Sequence, residues 1–483
     1  MTGSTPSQAQ VRLFVFQNFE EGRELVDYLL PDFNPTPSFV NEITNETVKN
    51  FTLDLLKIWP ELARKVSDKV IQNQEQYSLI PVPNGFIIPG GRFREYYYWD
   101  SYWIIDGLLI SGMNETAQGM IENFMSLVER FGFVPNGGRI YYLKRSQPPL
   151  LTPMTYIYFQ QTRNITWLKS HIKTLAKELN YWVNQTVKVT KNKKVYTLAH
   201  YDAESAGPRP ESYREDLLTA SYFTDPQKQD QVYIDLKSGA ESGWDFSTRW
   251  VFDENGGNSA NLSHIQTRRV IPVDLNAFLC GAYKDISQLY YALGQVTESF
   301  LWQQKHLKIR TAIDAVLWDE KDGIWYDYDI KLNKHRRLFY PSSVTPLWSK
   351  CFEQNKGQEL GKRVLNYLQD KHALGYLGGI PTSNDFTREQ WDFPNAWPPL
   401  QDIVVRGLDN LRYKPAQEEA KVLARRWVNA NMIGYQESGE MFEKYDAVVP
   451  GQYGEGGEYE VQAGFGWSNG VALRFIYNYY RKI

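Results

Sequence analysis

The stretch DLNAFLCGAYKDISQLYYALGQVTESFLWQQKHLKIRTAIDAVL, residues 274–317, decides the fold. Apolar residues recur at helical spacing on both sides of Gly294-Gln295. Two helices, 274–293 and 297–317, joined by so short a turn must lie antiparallel. Working outward, the same spacing predicts helices over 99–112, 114–131, 151–162, 166–185, 212–223, 357–371, 397–410, 416–432 and 464–481, with a second tight link at Gly112-Met113. Periodicity begins near Thr47, where Phe51, Leu53, Leu55, Leu56, Trp59, Leu62, Val66 and Val70 recur, and Pro60 kinks or splits that run. One segment departs: 319–337, DEKDGIWYDYDIKLNKHRR, alternates aromatic and polar residues and predicts a β-hairpin.

The remaining connections, 132–150, 200–211, 237–250, 381–396 and 437–463, are long and rich in Gly, Pro, Trp, Tyr, Arg and carboxylates. Tight turns on one side and long polar-aromatic loops on the other predict an all-α fold: a closed ring of helical hairpins whose loops line its mouth. A solenoid would carry a sequence repeat, and none is visible. A single toroidal domain is expected over 45–483. Residues 1–44, polar and broken by prolines, read as an N-terminal arm or linker.

Composition excludes several functions. Hydrophobic residues make up 42% of the 483, enough for a large core and too many for disorder. With 53 Lys+Arg against 56 Asp+Glu there is no basic excess, so no nucleic-acid partner is expected. No run reaches the roughly 18 apolar residues of a membrane span. Cys280 and Cys351 are either one disulfide or two buried thiols. Asn45, Asn50, Asn114, Asn164, Asn184 and Asn261 begin Asn-X-Ser/Thr sequons, against roughly three expected by chance. That excess points to a secreted or extracellular glycoprotein, or one tethered to a membrane through a segment absent from this sequence, rather than a cytoplasmic protein. The longest early apolar run, Leu13–Phe16, is too short for a signal-peptide core. A monomer carrying N-glycans is expected.

The aromatic content, 15%, needs a reason beyond packing. PGGRFREYYYWDSYW, 89–103, mixes aromatics with Arg and carboxylates. Such charges make a poor core, but sugars need this mixture: ring faces stack on pyranose C–H faces while charged groups bind hydroxyls. Arg92, Trp99 and Asp100 read as ligand-facing and Trp103 as core. Asn136-Gly137-Gly138-Arg139 with Arg145-Ser146-Gln147 forms a stiff polar edge, although a turn with a surface Arg is the commoner outcome. In Pro208-Arg209-Pro210-Glu211 two prolines stiffen the backbone around Arg209, which suits ligand contact and a helix entry alike. In Glu241-Ser242-Gly243-Trp244-Asp245-Phe246-Ser247 the Asp sits among apolar rings. It reads equally as a helix cap or as an acid of raised pKa. QWDFPNAWPP, 390–399, is a rigid aromatic wall with Trp397 as a stacking platform and Trp391 as possible core. FEKYD at 442–446 and GEGGEY at 454–459 place carboxylates on a glycine-rich loop without P-loop spacing, so a phosphate cradle is excluded. No His-x-x-x-His or Gly-x-Ser-x-Gly occurs, which leaves zinc hydrolysis and a serine elbow unsupported. Paired carboxylates beside aromatic platforms are what cleavage of a glycosidic bond requires.

PGGRFREYYYWDSYW and QWDFPNAWPP resemble the two signature patterns of trehalases, the glycoside hydrolases that split α,α-trehalose into two glucoses. RSQPP, RPES, ESGWDFS, EKYD and GFGWSNG match further blocks of that family in order, from about 50 to 475. The resemblance is closest to the animal, and within it the insect, branch. It implies an (α/α)6 toroid and inversion without metal or cofactor, with Asp245 as general acid and Glu443 as general base. It implies trehalose contacts by Arg92, Trp99, Asp100, Asn136, Arg145, Gln147, Arg209, Glu211 and Gly243, joined by Phe93, Trp397 and Glu458. Arg92, Arg145 and Arg209 correspond to an essential arginine set. Glu455 departs from the family by interrupting its glycine run. Two rivals stand beside this reading: another inverting α-glucosidase on the same toroid, and a sugar-binding protein without catalysis.

Overall fold

The computed structural model describes residues 6–20, 22–258 and 261–482. Residues 1–5 and 21 of the N-terminal arm, and the final residue 483, lie outside the described residues. Twelve helices, counted among the described residues, build the ring. They are α1 Glu46–Leu62, α2 Asp100–Ile110, α3 Asn114–Phe131, α4 Leu151–Thr162, α5 Ile165–Val183, α6 Val273–Ala292, α7 Val296–Val316, α8 Thr345–Trp348, α9 Gly357–Asp370, α10 Pro398–Asp409, α11 Lys414–Ser438 and α12 Gly466–Tyr479.

The even-numbered helices form the inner ring. α2 packs on α4, α4 on α6, α6 on α8, α8 on α10, α10 on α12, and α12 returns to α2. The odd-numbered helices back them from outside, α7 along α6 and α11 along α10 and α12. Composition explains the two layers. α2 is buried almost all round, whereas α9 and α3 bury one face and leave the other polar. This is the (α/α)6 toroid.

The ring closes where two glycines meet. A Cβ on Gly107 of α2 would lie 2.8 Å from the Cα of Gly470 in α12, and a Cβ on Gly470 would lie 2.0 Å from the Trp103 carbonyl oxygen. Only a backbone without side chains permits that approach. Cys280 of α6 and Cys351, just past α8, form a disulfide that fastens two neighbouring inner helices. Among the described residues no helix is long and apolar enough to cross a membrane.

Several local expectations needed revision. α1 runs through Pro60 to Leu62 and then turns into the strand Ala63–Val66, so Val66 and Val70 leave the helical register. The expected single hairpin at 319–337 is two short ones, Trp318–Asp319 with Ile324–Trp325 and Tyr328–Asp329 with Lys334–His335, turning at Gly323 and Asn333 in left-handed backbone. A helix over Pro226–Glu241 reaches into the expected 237–250 loop, started by Asp225 as N-cap and Pro226 in its first turn. Thr186–Lys191 and Lys194–Ala199 form a hairpin that lysine-rich sequence had concealed. Within the first 44 residues a helix Gln8–Asn18 buries no side chain, while Leu25–Asp27 pairs with the strand Ala63–Val66 and Phe39, Val40 and Ile43 are buried.

Gly470→Ala is expected to lower the unfolding free energy by about 1–3 kcal/mol, because α2 and α12 must separate to admit the methyl group. Urea unfolding checks this. Gly375→Ala, whose Cβ would meet nothing nearer than the His372 carbonyl oxygen at 3.7 Å, should stay within about 0.5 kcal/mol.

Candidate active site

The inner helices α2, α10 and α12 begin at one cavity of about 550 Å³, with Trp99, Asp100, Trp397 and Trp467 at their first turns. Helix N-termini carry partial positive charge and favour electron-rich ligand atoms. The long loops supply the rest of the wall. All fourteen residues singled out from the sequence line this cavity.

Its floor is indole. Trp391 and Trp397 lie parallel with centroids 3.9 Å apart, and Trp244 stacks on Trp391 at 5.1 Å. Trp99 and Trp467 meet edge to face at 5.9 Å. Trp397 is 1% exposed, with Trp391 stacked on one face and the Lys444 ammonium 5.3 Å from its ring centre, so it borders the cavity with little open ring surface. Trp103 lies beneath this layer, donating Nε1–H to Asp402. Gly243 is confined to glycine twice over: its φ is +78°, and a Cβ would lie 2.7 Å from the Trp99 ring.

One wall is a cluster of paired charges. Arg145 donates Nε–H to Asn136 Oδ1 at 2.8 Å and Nη2–H to Glu211 Oε1 at 2.5 Å. Its Nη1 and the other Glu211 oxygen, both buried, lack any partner. A donor and an acceptor left open on the same ion pair match a ligand hydroxyl, which can satisfy both. Despite burial, Arg145 and Arg209 hold the Glu211 carboxyl below its ordinary range. Gln147 Oε1 accepts the Trp99 amide, which fixes the start of α2. Arg209 is gripped by Asp216 through Nε and Nη2 and also reaches Glu458 at 3.5 Å. Ser212 Oγ donates to Glu458. Arg92 stands at the mouth, its guanidinium 5.0 Å over the Tyr459 ring, beside Phe93.

Three carboxyls face the cavity with little or no countercharge. Burial lifts Asp245 to about 6, with Arg209 opposing and Glu458 adding to the rise. Burial lifts Glu443 to about 7, opposed by Lys444, a Tyr459 hydrogen bond and the Gln462 amide. Burial lifts Asp100 to about 7, helped by repulsion from Glu443 and Asp245. The carboxyls therefore feel one another, and the first protons to leave belong to the group as a whole. Taken singly, the two values would leave the proton on Glu443. Hydrogen bonds pull the other way at Glu443. Tyr459 donates its O–H to Glu443 Oε1 at 2.8 Å, and the Gln462 amide approaches Oε2 at 3.4 Å. Among the described residues no side chain donates to the Asp245 carboxyl. Donors stabilise the ionised form of Glu443, while Arg209 stabilises that of Asp245, so both carboxyls carry an influence toward ionisation that opposes their burial.

Backbone pairing holds Glu443 in place. Asn395–Ala396 pairs antiparallel with Tyr445–Asp446, tying the QWDFPNAW loop to the EKYD loop. Lys444, lowered to about 8 by burial against the opposing pull of Glu443 and Glu455, donates to the Glu455 and Gly456 carbonyls. Sequence reasoning missed Tyr459, Lys444 and Gln390 as site residues. Tyr459 and Gln390 stand inside quoted motifs, beside Glu458 and Trp391, and proximity was their only signal. Gln390 donates to the Asp245 carbonyl oxygen. No group of three His, Cys, Asp or Glu side chains arranged to hold a metal occurs among the described residues.

The family model Trehalase matches residues 2–480. A trehalase of Tenebrio molitor is 51% identical over 481 residues, covering 99% of this chain and 86% of that protein. Trehalases of Bombyx mori and Homo sapiens are 47% and 45% identical, covering 99% and 97% of this chain and 83% and 80% of their own lengths. Among solved structures, neutral trehalase Nth1 from Saccharomyces cerevisiae superposes with a TM-score of 0.65 at 24% identity, covering 81% of this chain and 73% of that one. A mannosylglycerate hydrolase from Thermus thermophilus gives 0.55 at 15% identity, covering 87% and 98%. At these identities the two structures speak for the toroid.

Tyr459→Phe removes a donor to ionised Glu443 and should raise the pKa of that carboxyl. A hydrogen bond to a charged group contributes about 1.5–3 kcal/mol, so the acid limb of the turnover–pH profile should move up by about one to two units. An unmoved limb would separate Tyr459 from the titrating group.

Proposed function

The chain belongs to the trehalase family, and on that premise we propose that it hydrolyses α,α-trehalose to two glucoses by single displacement with inversion. The observation that carries this reading is that Asp245, half-buried, and Glu443, buried, line one cavity floored by indoles and walled by arginines. Asp245 holds the proton and gives it to the bridging oxygen as the glycosidic C–O bond breaks. Glu443, ionised, takes a proton from the water that attacks the anomeric carbon from the opposite face. The attacked ring leaves as β-glucose and the other as α-glucose. The two protons exchange with solvent after release, so neither residue is consumed. Inversion calls for roughly 6.5–9.5 Å between the carboxyls, enough for that water.

The substrate contacts in this reading are Arg92, Phe93, Trp99, Asp100, Asn136, Arg145, Gln147, Arg209, Glu211, Gly243, Trp397 and Glu458. The open Arg145 and Glu211 atoms support hydroxyl binding, and the indole floor supports stacking on the ring faces. Asp100, lifted to about 7, suits a group that donates to one hydroxyl and accepts from another. Residues 45–483 act as one catalytic domain and the preceding 44 as an arm. The protein works as a secreted or membrane-associated monomeric glycoprotein. Exposure of Asn45, Asn50, Asn164, Asn184 and Asn261 supports glycan attachment, and Asn114 is half-buried.

Asp245→Asn and Glu443→Gln should each cut glucose release from trehalose by at least about a hundredfold while unfolding like wild type. Near-normal activity in either removes that residue from its role. Maltose, assayed in parallel, should be a far poorer substrate. NMR of the earliest products should show equal α- and β-glucose, and two α-glucoses would exclude inversion.

A further inference from the structure

The ring holds a second axial cavity, of about 230 Å³, that shares no lining residue with the first. It is reached from farther along the inner helices. Lys284, Asp285 and Gln288 belong to the second half of α6, and Arg406 to the last turn of α10. A layer of packed rings divides the two cavities: Trp99 meets Trp103 at 5.4 Å, Trp103 meets Tyr102 at 5.4 Å, and Tyr102 meets Trp348 at 5.3 Å.

Two features set this cavity apart from a packing defect. Its walls are aromatic on three sides, from Tyr156 of α4, Phe278 of α6 and Trp348 of α8. Most of its polar groups are uncommitted. Among the described residues Asp285 finds no hydrogen-bond or ion-pair partner for its carboxyl, and neither does the ammonium of Lys284. Gln288 accepts from the Tyr156 hydroxyl through Oε1 and keeps its amide N–H groups open. Arg406 contacts Asp402, Asp106 and the Tyr102 hydroxyl through Nη1 alone, leaving Nε and Nη2 open. Burial lifts Asp285 to about 7, with Lys284 and Lys350 opposing, so near neutrality it can both donate and accept. The Cys280–Cys351 disulfide sits beside Gly281 and Lys350 on the cavity wall and fixes the spacing of α6 from the turn after α8.

Open donors, an open carboxyl and ring faces are the mixture that suits a pyranose, and the volume is less than half that of the cavity assigned above to a disaccharide. We propose that this second cavity is a binding site for one free hexose, with the C–H face of the ring against the aromatic walls and its hydroxyls on Asp285, Gln288 and Arg406. The site needs no catalysis of its own; that its occupant is the product glucose rests on the hydrolysis proposed above.

Equilibrium dialysis of the intact protein against labelled D-glucose tests this, with turnover of trehalose measured alongside. Wild type should take up three glucoses per chain at saturation, two in the disaccharide cavity and one in the second. Asp285→Ala removes a side chain without partners, and Gln288→Trp fills the cavity mouth from an exposed position. Each should lose one glucose, or weaken that binding step at least about tenfold, while initial turnover stays within about twofold. Two glucoses per chain in wild type, or three in both variants, overturns the site. If wild type binds three glucoses that the variants reduce to two, yet does not cleave trehalose, the hexose site stands and the proposed hydrolysis falls.

Discussion

Taking a charge out of water is expensive unless a partner goes with it, and the toroid is arranged around that constraint. Arg249, fully buried, is held by both Asp274 and Asp327; Arg209 by Asp216; Arg139 by Glu24 and Glu95; Asp106 by Arg474 and Arg406. Against this background a few groups in the candidate site stand apart. Asp245 and Asp100 lack a charge-bearing donor, and Arg145 and Glu211 keep one atom each unpaired. These groups meet in a single place, where a ligand can supply what the protein withholds.

That place exists because the inner ring closes. Gly107 and Gly470 let α2 and α12 touch backbone to backbone, and the N-termini of α2, α10 and α12 are thereby brought to the same pole. The loops that follow the outer helices reach over this pole carrying one half of the carboxyl pair each. The Asn395–Ala396 and Tyr445–Asp446 ladder fixes one loop against the other. Deeper along the axis the same ring leaves a smaller space whose charges are also unspent, which is why a second ligand is sought there and not on the surface.

Much of this was legible in the sequence, for physical reasons. Helical spacing around Gly294-Gln295 and Gly112-Met113 announced hairpins, because a turn of that length admits no other geometry. Charged residues interleaved with Trp and Tyr at 89–103 and 390–399 announced a site, because such segments are too polar for a core and too aromatic for a surface. Other features were hidden. The Pro226–Glu241 helix has a thin apolar face, and the Thr186–Ala199 hairpin is half lysine at its tip, so neither shows strong periodicity. Tyr459 reaches Glu443 through a hydrogen bond to another stretch of loop, and the Cys280–Cys351 pairing depends on which inner helices are neighbours. Contacts of that kind arise only when the ring has closed.

The central proposal is that Asp245 and Glu443 share one proton, placed on Asp245. Carbon-13 NMR of the aspartate carboxyls, followed through pH in wild type and in Glu443→Gln, tests it most directly. With the neighbouring negative charge removed, the Asp245 titration should move to lower pH, since repulsion no longer opposes its ionisation. An Asp245 resonance that titrates at the same pH in both proteins, or that is already ionised throughout the working range of wild type, would contradict the account.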